Sequence, residues 1–432
     1  MNLLSISQSQ CLDGFRKGDV LVLFGELFQR GYANGLVEKA QELGLTIIRS
    51  TVGRRDENQN LRCLNSEESA SFSDPWINLP LECGFDLELN SLGQSPVELC
   101  KSIGLKEGIN GKLDLSLISE SHLKGRERFR KQVKEWVTVL SSHLPAGKKV
   151  LIAHLMAGGV PRSKIILSLM NRVFKGTGDR YLSSEDFWKS DLGKLCQLSF
   201  LEVTAESFNI LIEETSSLRE KQELSNGFIH YSAYGYHGTQ IYFERKLRWL
   251  TYTPYVQGFA KKKLEDYAIA HGKNGVRATV YNCPEILTNS SSIFPGVEIF
   301  LYSILFECKN RSIKNTYALE ILKQAESCLL PGSLAKMETL IGDYLKSSVF
   351  LKTLDFDQWP MHSNKELMNL MLGVSSSLIS LHKDSNNLMT THLSELVIKA
   401  SGALILNDMA QPKHPVVWLG HDAIIKYFEV EA

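Results

Sequence analysis

The sequence predicts an α/β protein built on a doubly wound parallel sheet. Asp19–Phe24 reads DVLVLF, a short strand of Val and Leu. Gly25–Gly44 follows as a glycine-bearing turn and an amphipathic helix, and Leu45–Ile48 is a second short strand. Strand, helix and strand in that order place two strands parallel in one sheet. Later apolar runs, Val150–Gly159 (VLIAHLMAGG) and Gly227–Tyr231, stand between helical stretches in the same rhythm.

Composition narrows the class. The chain has 432 residues and is 43% hydrophobic, enough to bury a sizeable core. Lys+Arg and Asp+Glu are both 48, so the net charge is zero and no nucleic-acid partner is expected. Eight cysteines are scattered without a Cys-x-x-Cys pair or a His–Cys cluster, which predicts free thiols in a reducing compartment and no metal site. The N-terminus lacks a basic start followed by an apolar run, so no signal peptide is expected. No apolar run approaches the ~18 residues of a membrane span, and the expected location is the cytoplasm.

The first turn carries Gly25, Gly31 and Gly35, spaced Gly-x5-Gly-x3-Gly, with Tyr32 beside the second. Glycine lets a backbone approach a pyrophosphate, and the helix that follows offers free N–H donors. The spacing departs from GxGxxG. The second strand runs into IIRSTVGRRDE, where Arg49, Ser50 and Arg54 precede the first acid, Asp56. An acid here would hold a ribose 2′-OH and an arginine a 2′-phosphate, so NADPH is expected, with NADH possible.

Residues from about 58 to 124 read as an insertion holding a third strand near Cys83–Leu89. Gly125–His143 is a helix by its spacing of Phe129, Val133, Trp136, Val137 and Leu140. The strand at Val150 ends in Ala157-Gly158-Gly159, and its His154 reads as a satisfied core histidine. Lys175-Gly-Thr-Gly does not fit GxxxxGK[ST], which rejects a nucleotide-triphosphatase loop. A helix over about Thr204–Arg219 precedes the strand Gly227–Tyr231, which ends at Ser232, Tyr234 and Tyr236.

Leu250–Glu265, LTYTPYVQGFAKKKLE, is the stretch around which the rest is arranged. Thr253 suits a helix N-cap and Pro254 the first helical position. Val256, Phe259, Ala260, Leu264 and Tyr267 then fall near one face. A solvated helix accounts for two of the lysines Lys261–Lys263; the third needs another reason.

AKKKLE, Ala260–Glu265, resembles the active-site helix of the short-chain dehydrogenase/reductase superfamily, in which a tyrosine donates a proton and a lysine holds the nicotinamide ribose. Gln257 stands at the usual Tyr-x3-Lys position. The enoyl-thioester reductases of that superfamily use longer spacings: Tyr252 and Lys261 give Tyr-x8-Lys, and Tyr255 and Lys262 give Tyr-x6-Lys out of phase with Ala-Lys and Leu-Glu. Asn274–Ser291 resembles the sixth strand and its loop, with Pro284, Ile286 and Thr288 at the positions that hold the carboxamide. The displaced glycines resemble the same reductases, Ala157 and Gly158 resemble the turn after the fourth strand, and Ser232 or Tyr234 the residues over the substrate carbonyl.

The resemblance implies one NAD(P)-binding Rossmann-type domain over 15–432. The mainly helical stretch at about 292–410 would form a lid over the substrate side. It implies hydride transfer to the C=C of an enoyl thioester on acyl carrier protein or CoA. Tyr252 is then the donor, Lys261 its cation, and Tyr255 or Tyr234 the substitute donor. A ketoacyl or carbonyl reductase needing Ser232 and a non-catalytic nucleotide-binding relative remain as alternatives, and an oligomer is possible.

Overall fold

The computed structural model describes residues 14–429 apart from 71, 73–74, 105–106, 236–237, 245, 252–257, 290, 292–294, 312 and 355–361. Seven parallel strands form the sheet: β1 (Val20–Phe24), β2 (Thr46–Val52), β3 (Trp76–Leu81), β4 (Lys149–His154), β5 (Phe228–Tyr234), then β8 (Ala278–Asn282) and β9 (Val416–Trp418). β6 (Gly238–Phe243) and β7 (Lys246–Thr251) form a separate antiparallel hairpin. The sheet order is β9-β8-β5-β4-β1-β2-β3, the Rossmann arrangement. Strand order reverses between β1 and β4, and in such sheets the ligand crevice lies beyond the carboxyl ends at that reversal.

Every residue of β1 is buried, because helices cover both faces. Val20, Val22 and Phe24 pack toward α2 (Leu115–His143), through Phe129, Val133 and Trp136. Leu21 and Leu23 face the opposite side, with α1 (Tyr32–Glu42) and the long helix Met389–Asp408. That second core runs on without a break into the helices between 297 and 379. The helical character expected for 295–410 is therefore present. Met389–Asp408, however, is a sheet-covering helix packed on α1.

Several boundaries differ from expectation for identifiable reasons. β2 runs to Val52 because its polar residues are satisfied: Trp136 Nε1 donates to Ser50 Oγ at 2.8 Å, and Thr51 Oγ1 lies 3.2 Å from Asn78 Oδ1. The third strand is Trp76–Leu81, upstream of Cys83–Leu89. Its Pro80 hid it, and is tolerated because β3 is an edge strand. α2 begins at Leu115, capped by Asp114; Gly125 is internal, and an added Cβ there would meet Phe85 Cβ at 2.6 Å. β4 stops at His154, and the turn beyond it takes positive φ at Gly158 and Gly159, +94° and +103°. β5 continues to Tyr234. The stretch IYFERKLRWL, additional to the expected strand–helix connection, is most of the hairpin, whose Ile241, Phe243 and Leu250 enter the core.

A long helical run joins Asp191–Leu201 to Ser207–Glu214 through one wide π turn at Glu202–Glu206. By length and composition this run could cross a membrane, but 67% of its apolar window is buried in the fold. All seven cysteines among the described residues are free.

Candidate active site

Two adjoining cavities lie across the carboxyl edge of the sheet. The first, about 280 Å3, is bounded by the start of α1, the turn after β4, the end of β5 and the loop after β8. The second, about 300 Å3, lies over the ends of β2 and β3. They share a wall that includes Glu26, Phe28, Met156 and Ala157.

Lys261 sits in the first turn of α6 (Gly258–Lys273), which follows α3 (Lys164–Lys175), α4 (Asp191–Leu201) and α5 (Ser207–Glu214) in the chain. Its ammonium enters the first cavity and donates to the Tyr234 carbonyl at 2.7 Å. Burial pulls its pKa down to about 8, a shift that the Cys283 thiol opposes. Lys262 points outward to Asp266 at 2.6 Å, and Lys263 lies 4.9 Å over the Tyr267 ring. The lysine run thus divides into one inward and two outward residues, and Lys261 is the one at the cavity.

Tyr234 lines the same cavity. Its hydroxyl is buried with no hydrogen-bond partner among the described residues, and burial raises its pKa above the usual tyrosine value. Its ring stacks on Tyr32, with centroids 5.6 Å apart at 20°. Tyr32 opens α1 and donates its hydroxyl to the Pro284 carbonyl at 2.6 Å. The glycine turn, the end of β5 and the loop after β8 are therefore locked together by two tyrosines. Glu265, fully buried on α6, accepts from Asn282 Nδ2 at 2.8 Å and fixes the helix to the end of β8.

The other expected site residues divide. Gly31, Tyr32, Ala157, Gly158, Ile286 and Thr288 line the first cavity. An added Cβ at Gly31 would meet nothing within 4 Å, so the chain there borders open space. Gly25 turns the chain out of β1 at φ +109°, with Met156 3.3 Å from where a Cβ would stand. Pro284 contributes through its carbonyl to Tyr32. Gly35 belongs elsewhere: its Cβ would stand 1.9 Å from the Ile398 carbonyl oxygen, so it permits close packing of α1 on Met389–Asp408. Arg49 and Ser50 lie within β2, away from both cavities, because the strand runs on past them. Arg54 is held by Glu26. Ser232 is in mid-strand, paired with Thr279 and Ala153, and does not line the cavity. Tyr236, Tyr252, Thr253, Pro254 and Tyr255 lie outside the described residues.

His154 lines the cavity as well as filling the core. Its Nε2 lies 2.8 Å from Ser207 Oγ, and burial, with Lys261 adding to it, lowers its pKa to about 3, so it stays neutral. Glu26 was not singled out in the sequence; its only signal was its place after Gly25.

These residues fit a nicotinamide dinucleotide. The end-to-end cavities cross the strand-order reversal, and α1 meets them with backbone N–H groups that no side chain caps. Beside them are one desolvated cation and one orphaned phenol.

Comparison with known proteins agrees. The family model described as enoyl-acyl carrier protein reductase FabMG matches residues 2–428. A solved apo structure of FabMG, described as a novel type of enoyl-acyl carrier protein reductase, is 42% identical with a TM-score of 0.93, covering 99% of this chain and 98% of its own. An NADH-bound FabMG structure is 36% identical with a TM-score of 0.79 over the same shares. No curated protein sequence matches the chain.

Proposed function

The chain belongs to the FabMG family of enoyl-acyl carrier protein reductases, and on that premise we propose a division of labour among its residues. It is a nicotinamide-dependent reductase of the C=C bond of an enoyl thioester carried on acyl carrier protein. The reduced nicotinamide, when bound, supplies hydride for the β-carbon. The residues must then meet the negative charge that develops on the thioester oxygen.

We assign that task to the Tyr234 hydroxyl. It is neutral, buried and unpartnered at the cavity wall, so it can donate a hydrogen bond to the oxygen as charge appears there. That orphaned hydroxyl, on a residue lining the same cavity as Lys261, is the observation that carries the reading. Lys261 supplies a cation below about pH 8 and holds the ribose, while its bond to the Tyr234 carbonyl fixes the strand end. Tyr32 holds the Tyr234 ring in place. Neutral His154 and the apolar residues beside it limit water. The loop at Pro284–Thr288 holds the carboxamide through its backbone and Thr288.

NADH is the preferred reductant in this reading, supported by the NADH-bound relative and by the engagement of Arg54 with Glu26. The expectation of NADPH rested on Arg49, Ser50, Thr51, Arg54 and Arg55; the first three lie within β2, Arg54 pairs with Glu26 and Arg55 with Glu82, and none of the five lines either cavity. The cytoplasm is the assigned location, supported by the free, mostly buried thiols.

The test is enoyl-dependent NADH oxidation by Tyr234→Phe and Tyr252→Phe. Tyr234→Phe is expected to lower kcat about 100-fold or more while NADH affinity is kept. Full turnover in Tyr234→Phe with loss in Tyr252→Phe would transfer the role to Tyr252.

A further inference from the structure

Glu26 directly follows the Gly25 turn and lines both cavities at their shared wall. Each of its carboxylate oxygens accepts from Arg54 Nη2 at 3.0 Å, and Arg54 Nη1 donates to the Val52 carbonyl at 3.1 Å. The carboxylate is 19% exposed and the guanidinium 33%. Arg54 comes two residues after β2, where an arginine would be free to reach a ribose phosphate. Here its charge is neutralised, and its donors are taken by Glu26 and by the Val52 carbonyl.

We propose that Glu26, latched to Arg54, is the specificity-determining residue of the cofactor site, accepting the adenosine ribose 2′-hydroxyl of NADH and excluding the 2′-phosphate of NADPH. This rests on the NADH reading above. A dinucleotide that spans both cavities carries its adenosine ribose past the wall they share. A carboxylate there accepts a hydrogen bond from a hydroxyl and repels a phosphate dianion. The guanidinium that would compensate a phosphate is already taken, and freeing it would leave Glu26 unpaired in a part-buried position. The acid that selects NADH thus comes from the turn after the first strand, reaching across to the end of the second.

The test is nucleotide binding to the full chain, followed by the fluorescence of NADH and NADPH, for the wild type, Glu26→Gln, Arg54→Ala and the double variant. The wild type is expected to bind NADH at least about 10-fold more tightly than NADPH. Glu26→Gln removes the repulsion and releases Arg54, so NADPH affinity rises about 10-fold or more. That gain disappears in the double variant. Arg54→Ala alone leaves the Glu26 charge uncompensated, so NADPH binding weakens further while NADH is retained. An unchanged NADH/NADPH ratio in folded Glu26→Gln overturns the proposal and leaves the NADH reading standing. A rise in NADPH affinity in Arg54→Ala overturns it independently, even if Glu26→Gln fails to fold. A wild type that binds NADPH more tightly overturns the NADH reading itself.

Discussion

Over β4 and β5 a single ammonium, that of Lys261, is held by a backbone carbonyl, and no carboxylate pairs with it among the described residues. Over β2 and β3 the charges are dense and interlocked. Arg162 grips Asp86 at 2.7 Å, Arg128 meets Glu88 at 2.5 Å, and Arg55 pairs with Glu82. Arg128 also donates to the carbonyls of Glu82 and Gly84, so these pairs pin the loop after β3. Nearby, buried Glu202 accepts from Arg126 and lies 2.6 Å from His122 Nε2. Matched charges of this kind serve as fasteners. A buried cation with no counter-charge costs stability, and its retention marks a site of chemistry.

The paired end yields the largest expected effect on stability. Glu202→Ala removes the buried carboxylate that joins His122 to Arg126, leaves Arg126 with Glu206 at 3.3 Å, and should cost about 3–4 kcal/mol in denaturant unfolding. A cost near zero would mean that these pairs fasten nothing.

The unpaired end predicts a pH dependence of opposite sense to that of a lysine held in a salt bridge. Lys261 titrates at about 8 in the folded chain against 10.5 unfolded. Between those values the unfolded chain binds more protons, so stability rises with pH through the window. It is lost as pH falls from 10.5 toward 8 and is level below that. The whole span is on the order of 3 kcal/mol. It is read as the difference between wild type and Lys261→Met, and a flat difference across pH 8–10.5 would remove the contrast between the two ends.

A smaller effect separates a glycine that borders the cavity from one that does not. Gly35→Ala forces a Cβ against the Ile398 carbonyl and should cost about 2 kcal/mol in thermal or denaturant unfolding. Gly31→Ala meets open space and should leave stability unchanged.

The same pair of glycines shows what was legible in the chain alone. The βαβ start, the parallel sheet, Lys261 and the turn at Ala157–Gly158 are local patterns, each carried by a few adjacent residues. Gly35 is not distinguishable from Gly31 without Gly402 and Ile398, which approach it from a helix near the other end of the sequence. The Tyr32–Tyr234 stack and the Glu26–Arg54 latch are likewise contacts between distant segments, invisible to spacing. β3 was misplaced because Pro80 breaks its pattern and its edge position excuses the break. Ser232 and Ser50 read as site residues because they stood next to expected strand ends; both strands run further, and both serines remain inside them.

The most direct measurement is enoyl-dependent NADH oxidation by Lys261→Met, with thermal unfolding followed on the same preparation. A fall in kcat/KM of about 100-fold or more is expected, together with a melting temperature equal to or above that of the wild type. Near-normal turnover, or a loss of activity that merely tracks a lower melting temperature, would contradict that expectation.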